Sequence, residues 1–137
     1  MKSMTSCSSS TSLIKRMLSV GIDIVETARI RAAIERFKGR FLRRIFTEGE
    51  IAFCNSKPNR FQSYGARFAA KEAILKALGT GKSQGIRWRD MEIIDDEHSQ
   101  PAVRLHGRVR ELVAGEVHVS LSHTRTSAVA VCIIESS

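Results

Sequence analysis

Cysteine, aromatic residues and long apolar runs are all scarce in this sequence, and each shortage excludes a class of protein. The three cysteines, Cys7, Cys54 and Cys132, are odd in number and none has CxxC spacing, so we expect neither a disulfide framework nor a structural zinc site. A reducing cytoplasm is the simplest setting for such a chain. No apolar run approaches the roughly 20 residues of a membrane helix, so we expect no membrane partner.

Positive charge is abundant instead. The net charge is +8 and the isoelectric point is near 10, which favours an acidic protein, a polyphosphate ligand or a nucleic acid as partner. Six phenylalanines, one tyrosine and one tryptophan leave few platforms for stacking bases. No zinc-finger, KH or RRM pattern is present, so we expect no nucleic acid, although a basic nucleic-acid-binding module remains the main alternative.

The first segment differs in composition from the rest of the chain. Serine and threonine dominate residues 1–16, and we expect a disordered extension there, whether a tag, an upstream start or a targeting segment. A single domain is expected over residues 17–137, because the chain is too short for two.

Hydrophobic periodicity predicts helices and strands in an order without regular alternation, which indicates an α+β fold. The expected strands are Leu18–Val25, Met91–Asp95, Ala102–His106, Val117–Ser122 and Ser127–Ile134. The expected helices are one that runs through Phe37 and is stopped by Gly39, one from the Thr47 capping box to near Asn55, the long Phe61–Leu78, capped by Gly79, and a crossover at Arg108–Ala114.

Glu72 is a carboxylate on the apolar face of the longest predicted helix. It lies four residues after Phe68 and three before Leu75, so it shares their face. A buried carboxylate needs a partner, and an ion pair with Lys76 or another nearby cation is the favoured interpretation from spacing alone. The alternative is a divalent cation.

Asp23 similarly interrupts an otherwise apolar strand. By itself it is best interpreted as a charge on a solvated strand face or as a cap for the next helix. Together with Glu72 it would suit Mg²⁺, which prefers hard oxygen ligands and usually binds one or two carboxylates plus substrate phosphates. Spacing cannot show that the two carboxylates meet.

The loop Gly79–Ser83 contains GKS but is not a P-loop. Lys76 stands where the first glycine of that motif belongs, and the loop follows a helix instead of a strand. A helix cap and flexible loop is the simpler interpretation, with backbone amides at a phosphate as the alternative. His123, at a strand end, is by itself a surface or capping residue.

A basic run follows the first strand and is usually a solvated helix face. Arg29, Arg36 and Arg40 are expected near one helical face, with few balancing acids, and this favours an acidic docking partner.

Three stretches taken together resemble the holo-acyl-carrier-protein synthases, the small trimeric branch of the phosphopantetheinyl transferases. They are GIDIVETARI (Gly21–Ile30), ARFAAKEAILKALGTG (Ala66–Gly81) and VHVSLSHTRTSAVAV (Val117–Val131). The resemblance covers roughly residues 18–135, and FAAKEA followed by KALGTG is its most specific part. The sequence departs from the family's pattern in the N-terminal extension and in the variable region 82–89.

The resemblance implies a role for each matching residue. Asp23 and Glu72 match the family's metal ligands, which reverses the interpretation of each residue alone. Lys76 matches a lysine on a coenzyme A phosphate, and with the two carboxylates it forms the implied catalytic set. Gly79 and Gly81 match the loop along the nucleotide.

The remaining implied roles concern the nucleotide and the carrier protein. His123 and Thr124 match residues near the coenzyme A phosphates, Arg29 matches a carrier-docking residue, and Arg36 and Arg40 are expected to help it. The resemblance implies Mg²⁺-dependent transfer of 4′-phosphopantetheine from coenzyme A to a serine of an acidic acyl carrier protein. It also implies a homotrimer with active sites between chains. Metal-bound water, Glu72 or another carboxylate remains open as the general base, and an inactive carrier-protein adaptor is a second alternative.

Overall fold

The computed structural model describes residues 17–82 and 84–136, and the extension predicted at residues 1–16 lies outside them. The elements, in chain order, are β1 (Met17–Glu26), α1 (Thr27–Phe37), α2 (Gly39–Ile45), α3 (Glu48–Asn55), α4 (Arg60–Leu78), a short 3-10 helix (Trp88–Asp90), β2 (Met91–Asp95), β3 (Pro101–Leu105), α5 (Gly107–Leu112), β4 (Gly115–His123) and β5 (Ser127–Ser136). None of the helices in this part of the chain is long and apolar enough to cross a membrane.

The strands form two antiparallel sheets, and the predicted α+β class is confirmed. The larger sheet has the order β1-β5-β4, and in the smaller β2 pairs with β3, near the strands predicted at Met91–Asp95 and Ala102–His106. In the larger sheet Asp23 pairs with Ala130, which pairs with Leu121 on the other side. The core lies between this sheet and α4, whose alanines Ala69, Ala70 and Ala73 are fully buried.

Small residues allow α4 to lie directly on β1. A Cβ atom at Gly21 would lie 2.0 Å from the carbonyl oxygen of Ala73 and 2.6 Å from the amide nitrogen of Ala77. Only glycine therefore fits at this crossing. Asp23 is two residues further along β1, so its side chain points to the same side of the strand as Gly21, toward α4.

The helix ends follow local chemistry with one exception. Thr47 Oγ1 accepts the amide of Glu50 and the Glu50 side chain accepts the amide of Thr47, which confirms the capping box, and Gly79 caps α4 at φ 79°. The first helix runs through Phe37 as expected, but Gly39 is not the residue that stops it. Lys38, at φ 52°, breaks the chain direction and Gly39 begins α2. Arg40 therefore lies beyond the break, and the expectation of one helical face for all three arginines is wrong.

One face of the larger sheet is apolar and exposed. We call it the open sheet face, and it consists of Leu18, Val20, Ile22, Ile24 and Ile133. The four β1 residues are 59–68% exposed, although alternation in β1 would normally turn such a row inward. The opposite row of β1, which includes Gly21, is the one that packs against α4.

Candidate active site

Asp23 and Lys76 meet where β1 crosses α4. The Lys76 Nζ atom donates to Asp23 Oδ1 at 3.0 Å and to the carbonyl oxygen of Ile22 at 3.1 Å. The side chain of Lys76 is 55% exposed and that of Asp23 is 15% exposed, so the pair lies at the protein surface with the ammonium group accessible to solvent. A ligand phosphate can therefore reach Lys76.

Glu72 lies one helical turn before Lys76, yet the two do not form the ion pair that their spacing favours. Among the described residues, Lys76 pairs with Asp23 and Lys71 pairs with Glu50, and no ion pair includes Glu72. The pKa of Glu72 is raised above its ordinary value because of burial. The negative charge of Asp23 raises this pKa further, whereas Lys76 lowers it. The two carboxylates therefore interact, as the magnesium hypothesis requires.

A cleft of about 470 Å³ opens beside this cluster. Its lining residues come from the end of α4 and the following loop, and they are Glu72, Leu75, Lys76, Gly79, Gly81, Lys82 and Trp88. Gly79 and Gly81 have φ of 79° and 62°, so glycine is favoured at both. Sequence reasoning missed Lys82 and Trp88 as lining residues. The only signal was their closeness to the glycine loop.

The described residues are compatible with a divalent cation. Glu72 lines the cleft, and Asp23 lies beside it, bonded to the lining residue Lys76. The negative charge of Asp23 opposes ionisation of Glu72. A cation would remove this repulsion, and carboxylate oxygens are the ligands that Mg²⁺ prefers.

His123 and Thr124 lie elsewhere in the chain's fold. His123 ends β4, and Thr124 Oγ1 accepts the amides of Thr126 and Ser127 in the β4–β5 turn. In that turn, the carbonyl of Arg125 accepts a hydrogen bond from Gln62 at the start of α4. Gln62 precedes Glu72 by ten residues, which is about 15 Å along the helix axis. One chain therefore does not bring His123 and Thr124 to the cleft.

The three predicted docking arginines are all exposed. Arg29 and Arg36 lie on α1, two turns apart, and Arg36 lies over the Phe37 ring at 5.1 Å. Arg40 is on α2, where it lines a second cleft with Phe37, Phe41 and Arg44. This surface combines the exposed ring of Phe37 with a dense positive charge.

Comparisons with known proteins agree with this architecture. A family model described as the 4′-phosphopantetheinyl transferase superfamily matches residues 19–132. A holo-[acyl-carrier-protein] synthase of Chloroherpeton thalassium is 48% identical over 118 residues, which cover 86% of this chain and 98% of that protein. One of Koribacter versatilis is 45% identical over 123 residues, which cover 87% and 98%.

Solved structures show the same likeness. The holo-[acyl-carrier-protein] synthase of Helicobacter pylori in complex with coenzyme A aligns with a TM-score of 0.75 at 33% identity, over 85% of this chain and 99% of that chain. The Bacillus anthracis enzyme in complex with coenzyme A (3′,5′-ADP) aligns with a TM-score of 0.74 at 33% identity, over 87% and 96%.

Proposed function

The chain belongs to the 4′-phosphopantetheinyl transferase superfamily, and to the holo-[acyl-carrier-protein] synthases within it, and from this premise we propose its reaction. It transfers 4′-phosphopantetheine from coenzyme A to a serine of an apo acyl carrier protein. The products are holo carrier protein and adenosine 3′,5′-bisphosphate, and the reaction serves fatty acid biosynthesis. The observation that carries the proposal is the meeting of Asp23, Glu72 and Lys76 beside one cleft.

Asp23 and Glu72 are the residues that would hold Mg²⁺ in this proposal. They are hard oxygen donors on two elements that Gly21 brings into contact, and the charge of Asp23 disfavours ionisation of Glu72 until a cation is present. Bound Mg²⁺ supplies positive charge to the pyrophosphate oxygens of coenzyme A.

The chain's own groups bind and orient the nucleotide. Lys76 is a fixed positive charge for a coenzyme A phosphate, and Asp23 holds its ammonium group in place. The loop of Gly79 and Gly81 follows the nucleotide along the cleft. The serine oxygen attacks the β-phosphorus, the P–O bond to adenosine 3′,5′-bisphosphate breaks, and the serine proton passes to a base.

The distance of His123 and Thr124 from the cleft supports an active site shared between chains. In a homotrimer, these two residues would reach the coenzyme A phosphates in the cleft of a neighbouring chain. The open sheet face supplies a surface for this assembly, because an exposed apolar row on one sheet is the usual sign of an interface.

The surface of Arg29, Arg36 and Arg40 is proposed to dock the acidic carrier protein. Its exposed guanidinium groups would steer a negatively charged partner and increase the association rate, and added salt would weaken the effect.

We further propose a cytoplasmic location. Cys54 and Cys132 are buried free thiols, as is usual in a reducing compartment.

The test is the intact mass of an apo acyl carrier protein incubated with the purified enzyme, coenzyme A and Mg²⁺. We expect the carrier to gain one phosphopantetheine arm. EDTA, Asp23→Asn and Glu72→Gln should each slow the gain by at least about 100-fold. Each removes Mg²⁺ or weakens its binding, and the reacting phosphates then lose the positive charge that stabilises the transition state. Glu97→Gln is the matched control, because this carboxylate is 86% exposed in a turn and should leave the rate unchanged.

The outcomes separate the alternatives. A mass gain that survives both substitutions would keep the enzyme but contradict the assignment of the metal ligands. No gain with several carrier proteins would favour the inactive adaptor. Salt-sensitive binding to nucleic acid without any dependence on coenzyme A would favour the nucleic-acid module.

A further inference from the structure

Lys71 is a buried charge for which the proposed reaction has no use. It directly precedes Glu72 on α4, but successive helical residues point about 100° apart, so the two side chains leave the helix in different directions. Glu72 faces the cleft, whereas the side chain of Lys71 is 0% exposed.

All three donors of the Lys71 ammonium group are used inside the protein. The Nζ atom donates to Glu50 Oε1 at 2.8 Å, to the carbonyl oxygen of Met91 at 2.6 Å and to that of Trp88 at 3.1 Å. An ammonium group has only three hydrogens to donate, so no donor remains for a phosphate. Lys71 therefore acts on the protein and does not touch substrate.

Glu50 completes the arrangement from the other side. Its Oε1 atom also accepts the amide of Thr47, and its Oε2 atom accepts the amide of Ile93 at 2.8 Å. Both oxygens are thus bonded in the protein interior. The ion pair joins the start of α3 to α4 and to the start of β2.

The carbonyl at Trp88 is the contact that matters for the cleft. Trp88 lines the cleft together with Glu72 and Lys76, and its ring packs against Phe68 of α4 with 5.3 Å between centroids. Trp88 forms one wall of the cleft, and α4 carries the other. The hydrogen bond from Lys71 thus holds the backbone at Trp88 against α4.

We propose that Lys71, paired with Glu50, is a positioning residue that sets the width of the coenzyme A cleft through Trp88. The proposal rests on the proposed function only for the identity of the ligand. The hydrogen bonds of Lys71 fix where the Trp88 wall lies, and the wall in turn fixes how well the nucleotide fits between it and Lys76.

The experiment compares Lys71→Met with Arg67→Met. Arg67 is a matched control: it is a cation on the same helix, 5% exposed, and it contacts the Phe53 ring at 4.2 Å and Asp95 at 3.8 Å instead of the cleft wall. We expect Lys71→Met to raise the KM for coenzyme A about tenfold, with smaller effects on kcat and on the KM for the carrier protein. Arg67→Met should destabilise the fold and leave the KM for coenzyme A unchanged.

A second readout does not depend on catalysis. Trp88 is the single tryptophan of the chain, so its fluorescence reports directly on the wall. Lys71→Met should shift the emission to longer wavelength without any ligand, and Arg67→Met should not. If the wild-type protein shows no coenzyme A binding, the proposed function fails. The tryptophan emission still tests whether Lys71 holds the Trp88 wall in place.

Two further variants keep the test decisive. Lys71→Met combined with Glu50→Gln removes both buried charges, which avoids an unpaired carboxylate if the single variant does not fold. Trp88→Ala should raise the KM for coenzyme A, and adding Lys71→Met to it should raise it no further, because both act through one wall. Additive effects on KM, or unchanged emission in the folded Lys71 variants, would overturn the proposal.

Discussion

At the residue scale, the choice of ion-pair partners defines the candidate site. Lys76 pairs with Asp23 and Lys71 with Glu50, so the two basic residues nearest Glu72 on its helix both have other partners. Glu72 is left beside the charge of Asp23 with a raised pKa. A carboxylate without a cationic partner is suited to bind a cation. In the metal-free protein, the contribution of Glu72 to the free energy of unfolding should therefore depend on pH.

We predict that ionisation of Glu72 destabilises the metal-free protein. Its folded pKa lies above the ordinary value of 4.5, so in the window above 4.5 the folded state binds more protons than the unfolded state. Stability from this group is complete below 4.5 and is lost as pH rises through the folded pKa. Urea unfolding in EDTA across this window should show the wild type losing stability relative to Glu72→Gln.

The control for this titration is Glu97→Gln. Glu97 is 86% exposed, so its substitution should follow the wild-type curve across the same window. Parallel pH profiles for the wild type and Glu72→Gln would show that the fold does not oppose the charge on Glu72.

At the scale of elements, the crossing of β1 and α4 carries the site. Asp23 on one element and Glu72 and Lys76 on the other approach each other because no side chain separates the two backbones at Gly21. The site is therefore sensitive to the spacing of this crossing and not only to its charged residues.

Gly21→Ala should destabilise the protein and abolish most of its activity. The added Cβ atom would lie 2.0 Å from the carbonyl oxygen of Ala73, so the backbones must separate, which costs about 1–3 kcal/mol. The separation would also move Asp23 away from Lys76. The free energy of unfolding and the rate of carrier modification measure the two effects.

Gly65→Ala is the matched control for this change. Gly65 lies within α4, and a Cβ atom there meets only the side chains of Ala128 and Val25, both at 3.8 Å. Alanine favours a helix over glycine by up to about 1 kcal/mol, so we expect unchanged or increased stability and full activity. Equal losses in both variants would show that the crossing is not the sensitive feature.

At the scale of the whole molecule, the open sheet face is the largest feature that one chain leaves unexplained. Its β1 residues are exposed to about two thirds, while His123 and Thr124 lie far from the cleft they are expected to serve. An assembly through this face would answer both points, since it would cover the apolar row and bring groups from a second chain.

Ile24→Arg should therefore give a monomer with little transferase activity. Ile24 is 68% exposed, so arginine costs the isolated chain little, but a charge in an apolar interface opposes assembly. Sedimentation and intact-carrier mass measure both effects. Phe37→Arg is the control for the oligomeric state measured by sedimentation, because Phe37 is an exposed apolar residue on α1, away from the sheet. A wild-type protein that is monomeric and fully active would contradict the shared active site.

Local sequence determined the elements and most of their ends. The capping box of Thr47 and the glycine cap of α4 depend on neighbours within a few residues, so their patterns are visible in the chain. The break at Lys38 was not predictable, because a positive φ at a residue other than glycine follows from packing between α1 and α2. The motif residues and the spacing of Glu72 and Lys76 on one helix were also visible.

Which charges meet depends on how the elements pack. Spacing on the helix favoured Glu72 with Lys76, but Lys76 instead bonds Asp23, 53 residues away, and Lys71 bonds Glu50, 21 residues away. Electrostatic energy depends on distance in space and on burial, and both are set by how β1, α3 and α4 pack. The motifs in the chain are enough to name the groups of the site, but packing sets which of these groups line the cleft and which hold its wall in place.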